Sequence, residues 1–431
     1  MAFLFMRCSL FSENVYIWIC FVKCNVMRRL LIVFFLTCGL FECVWSASRT
    51  MRIDLTLRGE LDSCCMDLVS CVYWEGWFGP QSCCDSDIVK GQFIYSLYSL
   101  KGGEERMIYK DGFSSLYYEW ATMDYEGRDK EMVFEHTLLV PYTESDVRLV
   151  VECRVRDGLK VVMDKHIDVS EVERQELVES EVKLLQGEEK SDSKALDVAI
   201  LAEGFTLTEE LDFWSRADSL AMALMSEPAF VSFADDICIR GFFKPSKTKG
   251  PSDPSMGYKS ESVLNSSFGV FASDRYLETF KTFSVFDYVG NKPADMIIVL
   301  VNSKKYGGGG VYNCFAIGSL HDGDWIEVLL HEVGHSFAGL ADEYYYENEV
   351  YPDMYPKELE PWEPNVTTLV SFEKKWKEMY ENGATGLIEG AAYNAKDVYR
   401  SSVNCKMRQL HKPFCKVCNE AIGQQIRRYI E

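Results

Sequence analysis

Basic residues are scarce in this chain relative to acidic ones. Of its 431 residues, 45 are lysine or arginine and 66 are aspartate or glutamate, which gives a formal net charge of −21. Because so acidic a protein repels phosphate groups, we expect neither a nucleic-acid partner nor electrostatic binding to an anionic membrane. Repeats and low-complexity tracts are also absent, and the hydrophobic content of 47% is ordinary for a globular protein. The length predicts about two or three folded domains.

The N-terminus has the features of an export signal. A positively charged start at Met27 is followed by the apolar run 30–40 and then by small residues suited to cleavage. We therefore predict a leader over 1–47, with the signal peptide at 27–47, and an exported protein that is periplasmic, cell-surface or extracellular. Residues 1–26 are predicted to be an over-extended start of translation. The alternative is an N-terminal membrane anchor, which would then be the protein's link to a membrane.

Composition divides the remaining chain into three parts. Over 48–170, short alternating strands and frequent turn signals predict an all-β sandwich. The stretch 171–194 is acidic and has no aromatic residue, which is typical of a linker. Over 195–431, apolar strand runs such as 196–202 and 295–301 alternate with helical patterns, which predicts an α/β domain. The predicted fold is therefore a two-domain chain.

Histidine is rare, with six residues in the chain, yet two of them lie four residues apart in the sequence HEVGH. Positions i and i+4 share one face of a helix, so His331 and His335 can bind the same metal ion. Glu332 is offset from that face and can hold a water molecule instead of the metal. This is the arrangement of zinc peptidases in which two histidines are ligands and the glutamate is the general base. A helix with two hydrogen-bonded histidines and no metal is the alternative.

A third ligand is needed, because catalytic zinc usually has three protein ligands and a water. Gly339 is suited to end the helix in a left-handed conformation, and Asp342 follows it by three residues. The metzincin motif has the same interval from its glycine to its third ligand, although here one extra residue separates the second histidine from the glycine. We predict Asp342 as the third ligand. Glu343 is the adjacent alternative, and Glu373 or Glu389 are more distant ones.

Cysteine is abundant, with sixteen residues in the chain, eleven of them after the leader. Because exported proteins can keep disulfides, we predict one from Cys405 to either Cys415 or Cys418, and others within the cluster at 64–84. A second zinc site near the C-terminus is the alternative. It would need a fourth ligand, for which His411 is the candidate in the same stretch.

Two further segments are predicted to lie beside the metal. Met407 is a candidate for the methionine that lies beneath the zinc of metzincins without touching it.

Four glycines at 307–310 join the strand predicted at 295–301 to another at 311–317. Because no Gly-Lys-Ser/Thr follows, they do not form a phosphate loop. We predict a close approach to the metal helix and an edge strand that binds an extended peptide; a plain surface loop is the alternative.

From about residue 51 to residue 418 the chain resembles the IgA-peptidase family of secreted bacterial metallopeptidases, a metzincin-like group. The segments that carry the resemblance are MRIDL, DVAILAEGFT, FGVFASDRYL, VNSKKYGGGGVYN, HEVGHSFAGLADEYY, YRSSVNCKMR and FCKVC. The resemblance implies an N-terminal β-sandwich followed by an α/β metzincin-like zinc peptidase domain. It also implies His331, His335 and Asp342 as zinc ligands, Glu332 as general base and Met407 as the turn methionine.

We therefore predict a secreted endopeptidase with one zinc ion per chain, acting on protein or peptide substrates such as host glycoproteins. Glu332 would activate a water held by the zinc. Candidates for a supporting hydroxyl are Tyr344, Tyr345 and Tyr399. The alternative function is a β-sandwich adhesin or binding protein whose peptidase-like domain is not catalytic. Cleavage of immunoglobulin A does not follow from a family name.

Overall fold

A computed structural model of the protein describes residues 49–60, 63–77, 79–81, 89–123, 129, 132–175, 180–189, 194–347 and 354–431. The leader predicted at 1–47 lies outside the described residues, and so do Cys83 and Cys84 of the predicted disulfide cluster. Within the described residues, no helix combines the length and apolar character needed to cross a membrane. The signal peptide and the membrane anchor therefore stay predictions.

Two four-stranded sheets and a short helix account for the described N-terminal residues. The elements are β1 (Arg49–Arg58), β2 (Cys65–Glu75), β3 (Phe93–Lys101), β4 (Glu104–Phe113), α1 (Leu116–Thr122), β5 (Phe134–Pro141), β6 (Val147–Val155), β7 (Gly158–Ile167) and β8 (Glu173–Arg174). The strand orders are β5-β1-β2-β8 and β4-β3-β6-β7. The predicted β-rich character is present, and α1 is a helix that the sequence did not predict. The sandwich arrangement stays a prediction.

Alternation of side chains explains the first strand. In β1 the side chains of Met51, Ile53, Leu55 and Leu57 are fully buried. Because successive side chains point to opposite faces of a strand, this spacing directs one whole face to the core. The thiols of Cys64, Cys65 and Cys71, which lie in or beside the neighbouring strand β2, are free.

Part of the predicted linker 171–194 is a strand of a six-stranded sheet in the C-terminal part of the chain. β8 pairs in parallel with β2, whereas β9 (Glu181–Gln186) pairs antiparallel with β11 (Ile237–Phe243). Val182 and Leu185 of β9 pack against the two apolar clusters on opposite faces of that sheet. The linker interpretation is therefore wrong for these residues. Their charged composition is compatible with a strand, because an edge strand can combine apolar contacts with exposed charges. The domain boundaries stay predictions.

A six-stranded sheet lies at the centre of the described C-terminal residues. In spatial order its strands are β13 (Gly308–Val311), β14 (Phe315–Ser319), β12 (Met296–Val301), β10 (Leu196–Glu203), β11 and β9. The four inner strands are parallel, and both edge strands run antiparallel to their neighbours. Every residue of β10, β11 and β12 is buried, as expected for parallel strands covered on both faces. The predicted α/β character is confirmed.

Helices cover both faces of this sheet. The elements not yet named are α2 (Glu210–Ser226), α3 (Pro228–Val231), α4 (Thr282–Val289), α5 (Trp325–Ala338), β15 (Val366–Thr367), α6 (Lys377–Glu381), β16 (Ile388–Ala391), β17 (Asn394–Arg400) and α7 (Lys416–Ile430). Apolar side chains of α2, α3, α5 and α7 form one core cluster on one face, and those of α4 lie on the other. Helix α5, which carries the HEVGH motif, lies against the edge strand β13 and its neighbour β14.

Candidate metal centre

The motif helix α5 ends where the sequence predicted. Gly339 has a φ of 65°, its amide donates to the carbonyl oxygen of His335, and the amide of Leu340 donates to that of Gly334. The bond from Gly339 to the carbonyl four residues earlier closes the last turn as in the αL C-cap motif. A β-carbon at Gly339 would also lie 2.7 Å from the ring of Trp362. Only glycine therefore suits the point at which the chain turns back toward the motif.

The three predicted metal ligands lie together. The Nε2 atoms of His331 and His335 are 3.1 Å apart, and Oδ1 of Asp342 lies 3.1 Å from the first and 3.4 Å from the second. Ligand atoms placed tetrahedrally around zinc, at about 2.0–2.1 Å from it, would be about 3.4 Å apart. The three donors thus fit a zinc ion with three protein ligands and a fourth position for water or substrate.

Backbone carbonyls orient both imidazole rings. Nδ1 of His331 lies 3.1 Å from the carbonyl oxygen of Lys406, and Nδ1 of His335 lies 2.6 Å from that of Leu340. Because a carbonyl oxygen only accepts, each Nδ1 must carry the proton of its hydrogen bond. The lone pair of a neutral ring is then on Nε2, which is the atom that faces the cluster.

Asp342 is bound by a tyrosine that the sequence did not single out. The hydroxyl of Tyr393 donates to Oδ2 of Asp342 at 2.5 Å, and the amide of Ala392 donates to the carbonyl oxygen of Asp342 at 2.9 Å. Ala392 and Tyr393 form the turn between β16 and β17, with φ of 48° and 64°. A non-glycine residue in this conformation costs about 1 kcal/mol or more. The contacts with Asp342 help to offset that strain.

Of the three tyrosines predicted to assist, one reaches this carboxylate. The hydroxyl of Tyr344 interacts with Asp342, and its ring centroid lies 5.4 Å from that of Tyr393. Burial raises the pKa of Tyr344, so its hydroxyl stays protonated and able to donate. Among the described contacts, neither Tyr345 nor Tyr399 touches Asp342.

The charges of the cluster stabilise one another. Burial disfavours an ionised Asp342, but His335 and His331 outweigh burial and hold the pKa of Asp342 well below its usual range. Burial also disfavours a protonated His335, yet attraction to Asp342 raises the pKa of His335 to about 9. The carboxylate therefore stays ionised beside the two rings, as a metal ligand must.

Glu332 lies next to the three donors without joining them. The donor atoms that group together belong to His331, His335 and Asp342. Burial raises the pKa of Glu332, whereas the two histidines lower it by a smaller amount. A β-carbon on Gly308 would lie 3.1 Å from Oε1 of Glu332, so the carboxylate borders strand β13. A carboxylate with a raised pKa beside a metal is suited to accept and return a proton.

The glycine run packs directly on the motif helix. A β-carbon on Gly310 would lie 2.4 Å from the carbonyl oxygen of Glu332 and 2.9 Å from Cβ of His335. Any side chain at this position would separate the strand from the helix. The predicted close approach is confirmed. The predicted strand at 311–317 is displaced, because the glycines themselves form β13 (Gly308–Val311) and β14 begins after a turn.

Met407 lies beneath the motif, as predicted. It is fully buried, and a β-carbon on Gly334 would lie 2.7 Å from its Sδ. Its carbonyl oxygen accepts a hydrogen bond of 2.8 Å from the amide of Glu343. The methionine therefore supports both the helix and the loop that carries the third candidate ligand.

The alternative third ligands lie elsewhere. Glu343 is fully buried but groups with cysteines instead of the two histidines. Burial, together with the nearby Cys415, raises the pKa of Glu343 to about 8. Glu389 forms a 3.1 Å ion pair with Lys396, and Glu373 is exposed. Among the described residues, Asp342 is the carboxylate that groups with the histidine pair.

The C-terminal thiols are not joined in a disulfide. Cys405, Cys415 and Cys418 are free, and Sγ of Cys418 lies 3.4 Å from that of Cys415 and 3.6 Å from that of Cys405. A disulfide would need about 2.05 Å. His411, the fourth ligand considered from the sequence, instead lies 2.9 Å from Asp324. The predicted disulfide and the choice of His411 as a fourth ligand are therefore corrected.

Helix α1 of the N-terminal part contacts the residues beside the glycine strand. The hydroxyl of Tyr276 donates to Glu119 of α1, and the backbone of Tyr276 bridges Gly308 of β13. Burial raises the pKa of Glu119. The two parts of the fold therefore meet at the start of the glycine strand.

Two protein-family models match the chain. The model described as Peptidase M64 N-terminus matches residues 41–162, and the model described as IgA Peptidase M64 matches residues 182–385 and 380–426. The second match covers more than half of the chain and includes the motif helix, Asp342, Tyr393 and the C-terminal cysteines. Among curated proteins, no match is found.

Proposed function

Because this chain belongs to the IgA peptidase M64 family, a family of metallopeptidases, we propose that it is a zinc-dependent endopeptidase acting on protein or peptide substrates. The observation that carries the proposal is the convergence of His331, His335 and Asp342 beside Glu332. Two imidazoles and a carboxylate are ligands that zinc accepts in catalytic sites. A metzincin-like domain behind an N-terminal β-sandwich is the fold that we propose for this chemistry.

The protein supplies a proton carrier and supports for the ligands. When bound, zinc would polarise the substrate carbonyl and lower the pKa of its water to about 7, far below that of free water. Glu332 takes the proton from the attacking water on its carboxylate and returns it to the leaving amine. The carbonyls of Lys406 and Leu340 hold the imidazole rings, and Tyr393 holds Asp342.

Strand β13 is our proposed substrate-binding edge. It is an antiparallel edge strand, and its glycines border Glu332 and His335. An extended peptide that pairs with such an edge would bring its backbone carbonyls to the metal side of helix α5. Because the backbone of Tyr276 already bridges Gly308, we expect the substrate peptide to pair with the residues of β13 that follow Gly308.

Removal of the metal is expected to stop hydrolysis. The purified chain should digest unfolded casein, lose that activity after dialysis against a zinc chelator, and regain it when zinc is returned, because the water is activated only beside the ion. Casein fragments are measured by mass spectrometry. Binding of casein without any turnover in the zinc-loaded protein would instead support a binding protein with an inactive peptidase domain.

Replacement of Tyr393 by phenylalanine is expected to lower zinc affinity or activity by about 10- to 100-fold, since partners of metal ligands typically contribute that much. The change removes the hydroxyl group that donates a hydrogen bond to Asp342, and it leaves the aromatic ring in place. Zinc affinity is measured by competition with a chromophoric chelator. Tyr345→Phe is the matched control and should behave as wild type. Equal affinity and equal turnover in the Tyr393→Phe variant would contradict the role given to this contact.

Export by a signal peptide, and a periplasmic, surface or extracellular location, belong to the same proposal. A protein substrate, including a host glycoprotein, fits an enzyme in such a location. The supporting observation is the leader pattern at 27–47. N-terminal sequencing of the secreted protein would test it, and an intact Met27 in the mature chain would contradict it.

A further inference from the structure

Four side chains with metal-binding atoms meet next to the start of helix α7. Cys405, Cys415, Cys418 and Glu343 each place a donor atom within 4.8 Å of the others. Glu343, Cys405 and Cys418 have no exposed surface, and Cys415 is 7% exposed. The four residues come from three segments of the chain, so the sequence spacing of the cysteines does not reveal the group.

The separations match those of a tetrahedral site. Sγ of Cys418 lies 3.4 Å from Sγ of Cys415, 3.6 Å from Sγ of Cys405 and 3.4 Å from Oε1 of Glu343. Around zinc, with sulfur at about 2.3 Å and oxygen at about 2.1 Å, neighbouring ligand atoms would be about 3.6–3.8 Å apart. Small shifts of the side chains would therefore allow all four to bind one ion.

Glu343 has an oxygen that no hydrogen bond satisfies. Its Oε1 accepts a hydrogen bond from Nδ2 of Asn365 at 3.1 Å, whereas the buried Oε2 has no partner. Burying a carboxylate is strongly unfavourable unless hydrogen bonds or a cation compensate for the lost hydration. The neighbouring thiols supply no positive charge, and their ionised forms would repel the carboxylate. A divalent cation between the four side chains would be attracted by all of them.

The sulfur atoms have further polar contacts. The amide of Cys415 donates to Sγ of Cys405 at 3.4 Å, and the hydroxyl of Ser401 lies 3.3 Å from Sγ of Cys415. Hydrogen bonds of this kind orient metal ligands and stabilise their negative charge.

We propose that Cys405, Cys415, Cys418 and Glu343 bind a second zinc ion in a closed structural site. Three thiolates favour zinc over magnesium or calcium, and four protein ligands leave no position for water or substrate. A disulfide would use two of the sulfurs and leave the third, together with Glu343, without a partner. The proposal rests on these four donors and does not require that the chain hydrolyses peptides.

The ion would link the loop that carries Asp342 and Glu343 to the C-terminal helix α7. Glu343 directly follows Asp342, and its amide donates to the carbonyl oxygen of Met407. Cys415 is the residue that precedes the first turn of α7. Binding of zinc here fixes the relative positions of these three segments. Its loss should therefore weaken metal binding by Asp342 and the two histidines.

The test counts zinc in the full chain, prepared with reductant and zinc and measured by native mass spectrometry. We expect two equivalents in the wild type and one in the His335→Ala variant. In that variant the three cluster thiols should resist alkylation until a chelator is added. Cys418→Ala should lose the second equivalent, whereas Cys153→Ala, a buried cysteine outside the cluster, should keep both.

Cobalt substitution of the wild type keeps the test decisive if Cys418→Ala does not fold, since thiolate-to-cobalt charge-transfer bands appear only when sulfur binds the ion. Absence of these bands, freely alkylated thiols, or a disulfide among them would overturn the proposal. A single equivalent that His335→Ala keeps and Cys418→Ala loses would support this site and contradict the proposed zinc peptidase.

Discussion

Glu332→Gln is expected to slow peptide hydrolysis by about 10²- to 10⁴-fold, the usual contribution of a general base, without changing the zinc content. The amide has nearly the shape of the carboxylate but cannot accept the proton of the attacking water. The three metal ligands and their hydrogen-bond partners are unchanged. Turnover of casein peptides and zinc content are measured on the same preparation.

A matched control separates this effect from a general loss of acidic side chains. Glu373→Gln changes an exposed glutamate that does not group with the metal ligands and should retain wild-type turnover. The proposed mechanism is wrong if the Glu332→Gln variant, with zinc bound, hydrolyses peptides as fast as the wild type.

Asp342→Ala is expected to remove one equivalent of zinc relative to the wild type and to abolish turnover. Two imidazoles alone leave the catalytic ion with one ligand fewer than it needs. The change also removes the anion that lies 3.1 Å from His331 and 3.4 Å from His335. Zinc is measured after dialysis against a weak chelator, together with circular dichroism to check that the chain is folded.

Glu389→Ala is the control for the alternative ligand set. Because Glu389 pairs with Lys396 at the surface, its variant should keep the metal content and activity of the wild type. If Asp342→Ala keeps the full zinc content and Glu389→Ala loses an equivalent, the third ligand is not Asp342.

Patterns between near neighbours predicted the central strands and the motif helix well. The continuous apolar run that begins at Leu196 predicts a strand buried on both faces, and β10 begins at that residue. The spacing from His331 to Gly339 predicted a helix that has both imidazole rings on one face and ends at a glycine. These features depend on residues within a few positions of one another, so local geometry is sufficient.

Other features were missed because they depend on distant partners. The charged segment Glu181–Gln186 has no strong strand signal, and its pairing with β11 is what makes it a strand. Tyr393 lies 51 residues after Asp342 in the chain. Nothing in its own surroundings distinguishes it from Tyr345 or Tyr399, which were considered instead.

By itself, the sequence determined the motif helix, the candidate for the general base and the position at which the chain turns back. Only the tertiary structure decided between the adjacent carboxylates Asp342 and Glu343. Successive side chains leave the backbone in different directions, and contacts with separate segments set those directions. Tyr393 holds Asp342 toward the histidines, whereas Asn365 and the hydrogen bond to Met407 hold Glu343 toward the cysteines. Packing between distant segments therefore gave two neighbouring acids two different sites.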